Sequence, residues 1–204
     1  MLSYLEILQS SETGTTLDPK PVEVEDWRKL LAVADGDDKA LLLLMLNGCF
    51  YIQEVINLEW QDIKNGCIVT NRRKTGKCIR VCMLLPETLA ALEKMKRRNA
   101  YIFNTYAGLP IKVSGAQRRW QRLSLKAGLA TERDGACNKK VIKCDVTASQ
   151  LRDGAYTAAA SANVNSEICR LLGGHRCGIQ DHYVRRNPKM VAPACEAVRR
   201  FYLA

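Results

Sequence analysis

From Val24 onward the apolar positions follow a helical period. Trp27, Leu30, Leu31 and Ala34 share one face, and the acidic run DGDD at 35–38 ends the pattern. Residues 38–47 are mostly apolar, which predicts a helix buried on most of its sides. A second helix is predicted over 51–60, with Ile52, Val55, Ile56 and Trp60 turned inward. The period then changes. CIVTNRRKTGKCIRVCML, residues 67–84, carries two β-branched runs joined by a basic turn at Lys74-Thr75-Gly76-Lys77, the pattern of a hairpin. PETLAALEKMKRR returns to helix, opened by proline in its first turn and closed by cations in its last. YIFN at 101–104 reads as a short third strand.

The second half is predicted to be helical with one polar interruption. Residues 114–127 form an amphipathic pattern, with Arg118, Arg119, Arg122 and Lys126 on the polar side and Trp120 and Leu123 facing inward. TERDGACNKKVIKCD, 131–145, is polar and shows no period that predicts a regular element. Helices are predicted again over 148–161, 165–173, 179–183 and 193–203. Residues 10–21, SSETGTTLDPKP, are rich in turn formers and read as a linker. The pattern therefore predicts a lead-in over 1–21 and one domain over 22–204. Its expected class is α+β, mainly α, with a small antiparallel sheet within residues 67–104.

Composition narrows the function classes. Hydrophobic residues make up 47% and charged residues 25% of the 204 positions, which suits a packed core and argues against disorder. Lysine and arginine total 31 against 21 acids, a formal charge of +10. That excess suits a polyanionic partner, because neutralising phosphates releases counterions; a basic protein without such a partner is an equal alternative on charge alone. The nine cysteines show no CxxC pair and read as free thiols in a reducing compartment. With only two histidines, His175 and His182, and no ligand spacing to cysteine pairs, a metal site is not expected. The start MLSYLEILQSSETGTT lacks the basic and apolar regions of a signal peptide. The longest apolar run, ALLLLML at 40–46, is too short to span a bilayer, which takes about 20 residues. A soluble, cytoplasmic protein is the expectation.

Four segments stand out by their order: LNGCFYIQEVINLEWQDI, the basic hairpin RRKTGKCIRV, SQLRDGAYTAAA with Arg152, and LLGGHRCGIQDHY. In the last, His175 lies eight residues before Tyr183, and Arg152 lies thirty-one before it. Together they resemble the catalytic domain of the tyrosine recombinases, the phage integrase family, from about Val24 to the C-terminus. The resemblance implies a site-specific recombinase of the kind carried by mobile genetic elements. Such an enzyme cleaves and rejoins double-stranded DNA through a 3′-phosphotyrosyl intermediate, without ATP, metal or other cofactor. Tyrosine attack on a phosphodiester gathers extra negative charge on the non-bridging oxygens, and arginine, which keeps its charge, suits that role.

By this resemblance Tyr183 matches the nucleophile, Arg152 the second arginine, and His175 a histidine that donates to a non-bridging oxygen. Lys74 matches the lysine that protonates the leaving 5′-oxygen, with Lys77 as the alternative. Arg185 and Arg186 follow the tyrosine in position to hold phosphate. Arg72, Arg73 and Lys77 on the hairpin, and Arg118, Arg119 and Arg122 on their helix, are the candidate backbone contacts. Two positions depart from the family pattern. The first arginine falls on Tyr51, with no arginine or lysine between Lys39 and Lys64, and the first histidine falls on Ser149. Losing one fixed charge at such a site costs about 10² to 10³ in rate. Compensation by Arg72, Arg73 or Lys77 is expected. The alternatives are a weakened or inactive DNA-binding relative, and a basic protein- or RNA-binding module.

Two architectural expectations also follow from the resemblance. Members usually carry an N-terminal helical domain that closes a clamp on DNA, so this chain is either the catalytic half of a longer protein or a single-domain version. The segment after the nucleophile, PACEAVRRFYLA, docks on a neighbouring protomer of a tetramer or packs on its own domain.

Overall fold

The computed structural model describes residues 19–71, 79–134, 140–175 and 186–204. Helix α1 (Val24–Val33) buries Trp27 and Leu30. Helix α2 (Gly36–Asn47) has every residue from Ala40 to Asn47 buried, as its unbroken apolar run requires. It packs against three later helices: α4 (Pro86–Glu93), α6 (Ala148–Ser161) and α8 (Ala192–Tyr202). Asn47 is a buried polar side chain at the end of α2 and makes three hydrogen bonds. Asn47 donates to the Met83 carbonyl at 3.0 Å and accepts from the Leu85 amide at 2.8 Å and the Thr88 hydroxyl at 3.1 Å. It thereby locks the end of α2 to the start of α4.

The predicted helix over 51–60 is shorter. Helix α3 covers Ile52–Val55, and a 3₁₀ turn covers Trp60–Asp62. The intervening chain is drawn off to meet residues 100–102: the Trp60 amide donates to the Ala100 carbonyl at 2.9 Å, and the Ile102 amide to Leu58 at 3.0 Å. That pairing explains a second difference. YIFN forms isolated bridges, Glu59 with Tyr101 and Asn104 with Pro110, rather than a strand of the sheet. The third strand is instead β1 (Ile63–Lys64), which precedes β2 (Cys67–Asn71) and β3 (Ile79–Met83) in an antiparallel meander. Asn65 and Gly66 join β1 to β2 with φ of 50° and 70°, the left-handed pair of a tight hairpin turn.

Helix α5 (Val113–Lys126) buries Ala116, Trp120 and Leu123 as its pattern predicts. The segment 131–145, expected to be irregular, is a β-hairpin: β4 (Ala130–Asp134) pairs antiparallel with β5 (Lys140–Cys144). Its side chains are exposed on both faces for most of its length, so no alternation marks it. A Glu132–Lys140 ion pair at 3.1 Å ties the two strands. Helix α6 starts at a reciprocal Thr147–Gln150 cap, and α7 (Ser166–Leu172) starts at Asn165, whose side chain accepts from the Glu167 amide at 2.8 Å.

The C-terminal helix α8 packs against α2 and α6 of the same chain. It buries Ala194, Cys195, Ala197, Val198 and Tyr202. The Tyr202 hydroxyl donates to the Val22 carbonyl at 2.8 Å, and Arg199 pairs with Glu87 at 2.9 Å. Among the described residues, no helix is long and apolar enough to cross a membrane.

Candidate active site

Three chain segments meet beneath the entrance to α6. The first is the turn after α2, where Gly48 closes the helix by donating to the Leu44 carbonyl at 3.0 Å and Phe50 returns to Met45 at 3.0 Å. Cys49 between them has φ 52°, a left-handed conformation unfavourable for a side-chain-bearing residue. Its twist turns the Cys49 carbonyl toward the interior, and its thiol, pushed up to about 11 by burial, donates to the Arg152 carbonyl at 3.4 Å. Tyr51 then starts α3, with its amide held by the Glu54 carboxylate at 2.9 Å.

The second segment is α6, which carries Arg152. Its side chain is buried, and two of its N–H groups serve the backbone: Nη1 donates to the Cys49 carbonyl at 2.6 Å and Nη2 to the Gly173 carbonyl at 2.7 Å. Five donors on a guanidinium leave the others for a ligand oxygen. The third segment follows α7. Gly173 closes that helix, Gly174 turns with φ 66°, and the His175 amide donates to the Arg170 carbonyl at 2.9 Å. This turn brings the exposed His175 to Arg152, with Nε2 3.4 Å from Nη2. The Tyr156 ring meets the imidazole edge-on at a centroid distance of 6.0 Å. Arg152 and His175, predicted as partners from sequence, therefore converge.

Tyr51, expected from the resemblance to take the first-arginine position, lies over Arg152 with its ring centroid 4.3 Å from the guanidinium carbon. That distance is a cation–π contact. Ser149, expected from the resemblance to take the first-histidine position, is exposed, and its hydroxyl lies 3.0 Å from that of Thr147. Tyr51 and Ser149 together border a cavity of about 390 Å³, which Glu54, Thr70, Asn71 and Arg80 also line.

Arg80 is the residue that the sequence pattern missed. It sits on β3 opposite Thr70 and is 1% exposed. Its Nη1 donates to the Leu172 carbonyl at 2.9 Å, and its Nη2 donates to Gly48 at 3.0 Å and Cys49 at 2.7 Å. Glu54 lies 3.5 Å from Nη2, and the Phe50 ring stacks at 4.6 Å. Burial pulls the guanidinium below its ordinary pKa, and Glu54 opposes that shift. Strand alternation does not mark it, because Arg80, Val81 and Cys82 are all buried.

The remaining candidates divide. Tyr183, Lys74, Arg72, Arg73, Lys77 and Arg185, with the helix predicted over 179–183, lie outside the described residues; β2 and β3 are the strands that lead into and out of the Lys74 segment. Arg186 is partly buried. On α5, Arg118 and Arg122 are exposed, whereas Arg119 is partly buried and pairs with Asp37 at 3.8 Å and Asp38 at 3.5 Å. A second cavity of about 560 Å³ joins these arginines to Tyr106 and Leu109, which are 97% and 63% exposed.

The same architecture occurs in several solved structures. XerA recombinase matches at 19% identity over 85% of this chain and 63% of its own, with a TM-score of 0.59. The integrase of mycobacterium phage Brujita matches at 18% identity over 90% of this chain and 58% of its own, with a TM-score of 0.61. A lambda integrase dimer bound to a COC′ core site matches at 16% identity over 83% and 60%, with a TM-score of 0.57. The chain thus spans less than two thirds of the length of each of these three. No curated protein sequence matches it. The family model described as "Phage integrase family" matches residues 21–189, which include Arg152, His175, Tyr51 and both strands of the basic hairpin. With the shared architecture, that match makes the chain a member of the phage integrase family, the tyrosine recombinases.

Proposed function

We propose that the chain is a DNA strand transferase acting on double-stranded DNA, with residues 22–204 as its catalytic unit. The Tyr183 hydroxyl attacks a backbone phosphorus and releases its proton to solvent water. The bond to the 5′-oxygen breaks, and that oxygen takes a proton from Lys74. Attack by a 5′-hydroxyl of a partner strand then reverses the step and releases Tyr183. Bond count is conserved throughout, so no external energy source is needed. Arg152 and His175 donate to the non-bridging oxygens of the five-coordinate state.

The observation that carries this reading is the meeting of Arg152 and His175 at 3.4 Å, on elements 23 residues apart. Arg118 and Arg122 on α5, together with the hairpin cations, supply sequence-independent contacts to the phosphate backbone. DNA-bound relatives of the same fold, lambda integrase and the Tn1549 transposon integrase, favour duplex DNA as the partner and self-association on it. Incubation with a nicked suicide duplex tests the reading. Wild type is expected to give a denaturant-resistant protein–DNA adduct, and Tyr183→Phe none. An adduct that persists in Tyr183→Phe, or its absence from wild type under conditions where the duplex is bound, overturns the enzyme.

A second reading is a DNA-binding relative without chemistry. It is favoured by one observation: the Tyr51 ring covers Arg152 where the family pattern has a second guanidinium. Duplex binding with no adduct is its expected outcome.

A further inference from the structure

We propose that Arg80 is a positioning residue for the phosphate-binding pair, holding Arg152 and His175 in place through the backbone carbonyls that it shares with them. The inference rests on the reading of Arg152 and His175 as phosphate ligands, but its physical content, the anchoring of Arg152, stands apart from activity.

Two guanidiniums converge on one carbonyl. The Cys49 oxygen accepts from Arg80 Nη2 at 2.7 Å and from Arg152 Nη1 at 2.6 Å. That oxygen is available only because Cys49 has φ 52°. On the other side, Arg80 Nη1 holds the Leu172 carbonyl, and Arg152 Nη2 holds the Gly173 carbonyl next along the chain. Arg80 therefore clamps the same two loops that Arg152 bridges, from below, and the second loop continues directly into His175. Three carbonyls and Glu54 engage its two Nη atoms, while its Nε has no hydrogen-bond partner among the described residues and its side chain lines the cavity beside Tyr51. Its effect on chemistry passes through Arg152.

Gly174 fits the arrangement. A Cβ there would lie on the Arg80 side chain, meeting Nη1 and approaching Cδ at 2.5 Å and Cζ at 2.9 Å. The backbone leading to His175 thus passes against the guanidinium itself. Lysine does not substitute: one ammonium has no planar fork to span carbonyls of two loops, and it loses its charge more readily when buried.

The experiment compares wild type with Arg80→Met and with Arg80→Met/Glu54→Gln, which removes the partner charge together with the guanidinium. Two readouts are used on the full chain. The first is nitrogen-15 NMR of the arginine side chains, with Arg152 assigned by Arg152→Lys. In wild type the Arg152 guanidinium is expected to rotate slowly about its C–N bonds. In whichever variant keeps a dispersed amide spectrum, rotation is expected to speed by at least about tenfold once the shared anchor is lost. Unchanged Arg152 rotation overturns the proposal, whether or not the protein cleaves DNA.

The second readout separates binding from chemistry. Duplex affinity is expected to stay within about twofold of wild type, because Arg80 is not on the surface, while the adduct-forming rate falls by about 10². Equal rates in wild type and a folded variant likewise overturn the positioning role. If wild type forms no adduct, the enzyme reading fails by itself, and the NMR result still decides whether Arg80 holds Arg152.

Discussion

Gly174→Ala is expected to be among the most damaging single-methyl changes in the chain, and its cost divides into two parts. The first is conformational. Gly174 has φ 66°, and an L-residue in that region costs about 1–2 kcal/mol. The second is displacement. The added Cβ would approach Arg80 Cδ at 2.5 Å and Cζ at 2.9 Å, far inside an ordinary carbon–carbon contact of about 3.5–4.0 Å. Arg80 cannot yield cheaply, since it is 1% exposed and tied to Leu172, Gly48 and Cys49. Each hydrogen bond from a charged donor contributes about 1.5–3 kcal/mol, so losing one brings the total to about 2.5–5 kcal/mol. Against a typical stability of about 5–15 kcal/mol that is a large share. Gly128→Ala isolates the displacement. Its φ is 70° and no atom lies within 4 Å of the added Cβ, so only the conformational part applies. Urea unfolding followed by far-UV circular dichroism is expected to separate the two variants by about 1.5–3 kcal/mol, with a gap in Tm of roughly 3–12 °C. Equal destabilisation would show that Arg80 relaxes freely and refute the rigid clamp.

Three other outcomes are expected. Asn47→Leu removes the acceptor of the Leu85 amide and the donor to the Met83 carbonyl, and denaturant titration should show a loss of about 2–4 kcal/mol. Arg118→Gln/Arg122→Gln should weaken duplex binding and lower the slope of log Kd against log salt by about 2, at about 0.9 per phosphate contact. Arg119→Gln should leave that slope alone, because its guanidinium serves Asp37 and Asp38. Alkaline stability should follow Tyr202, which burial raises to about 12. The unfolded phenol ionises near pH 10, so the folded state binds the proton more tightly. Stability should be level with respect to this group below about pH 10 and fall as the pH rises to about 12, by up to about 3 kcal/mol. Tyr202→Phe should remove that part of the fall in chemical denaturation measured across the range.

Elements with one strongly patterned face were legible in the sequence. Helices α1, α5 and α6 came through because a single stripe, such as Ala116, Trp120 and Leu123 on α5, faces the core. The hairpin β4–β5 was not legible, since most of its residues are solvent-facing and carry no period. The tail of the predicted helix over 51–60 was lost to a partner some 40 residues away, at 100–102, which no local pattern announces. The candidate site divides in the same way. Arg152 and His175 could be matched from short motifs. Arg80 could not, because its acceptors lie 31, 32 and 92 residues distant and only the folded chain unites them. Compensation for the arginine missing at Tyr51 was expected from the hairpin cations Arg72, Arg73 and Lys77, which lie outside the described residues. Among the described residues, the buried cation beside Arg152 is Arg80.

The left-handed Cys49 carbonyl, shared by two guanidiniums, limits how much further positive charge the site can take. An arginine placed at Tyr51 would bring a third cation to a spot where two already converge, with Glu54 as the acidic side chain beside Arg80 among the described residues. Such a change is expected to cost stability while Arg80 stays in place and less once Arg80 is neutralised, so a double-mutant cycle over positions 51 and 80 should show coupling.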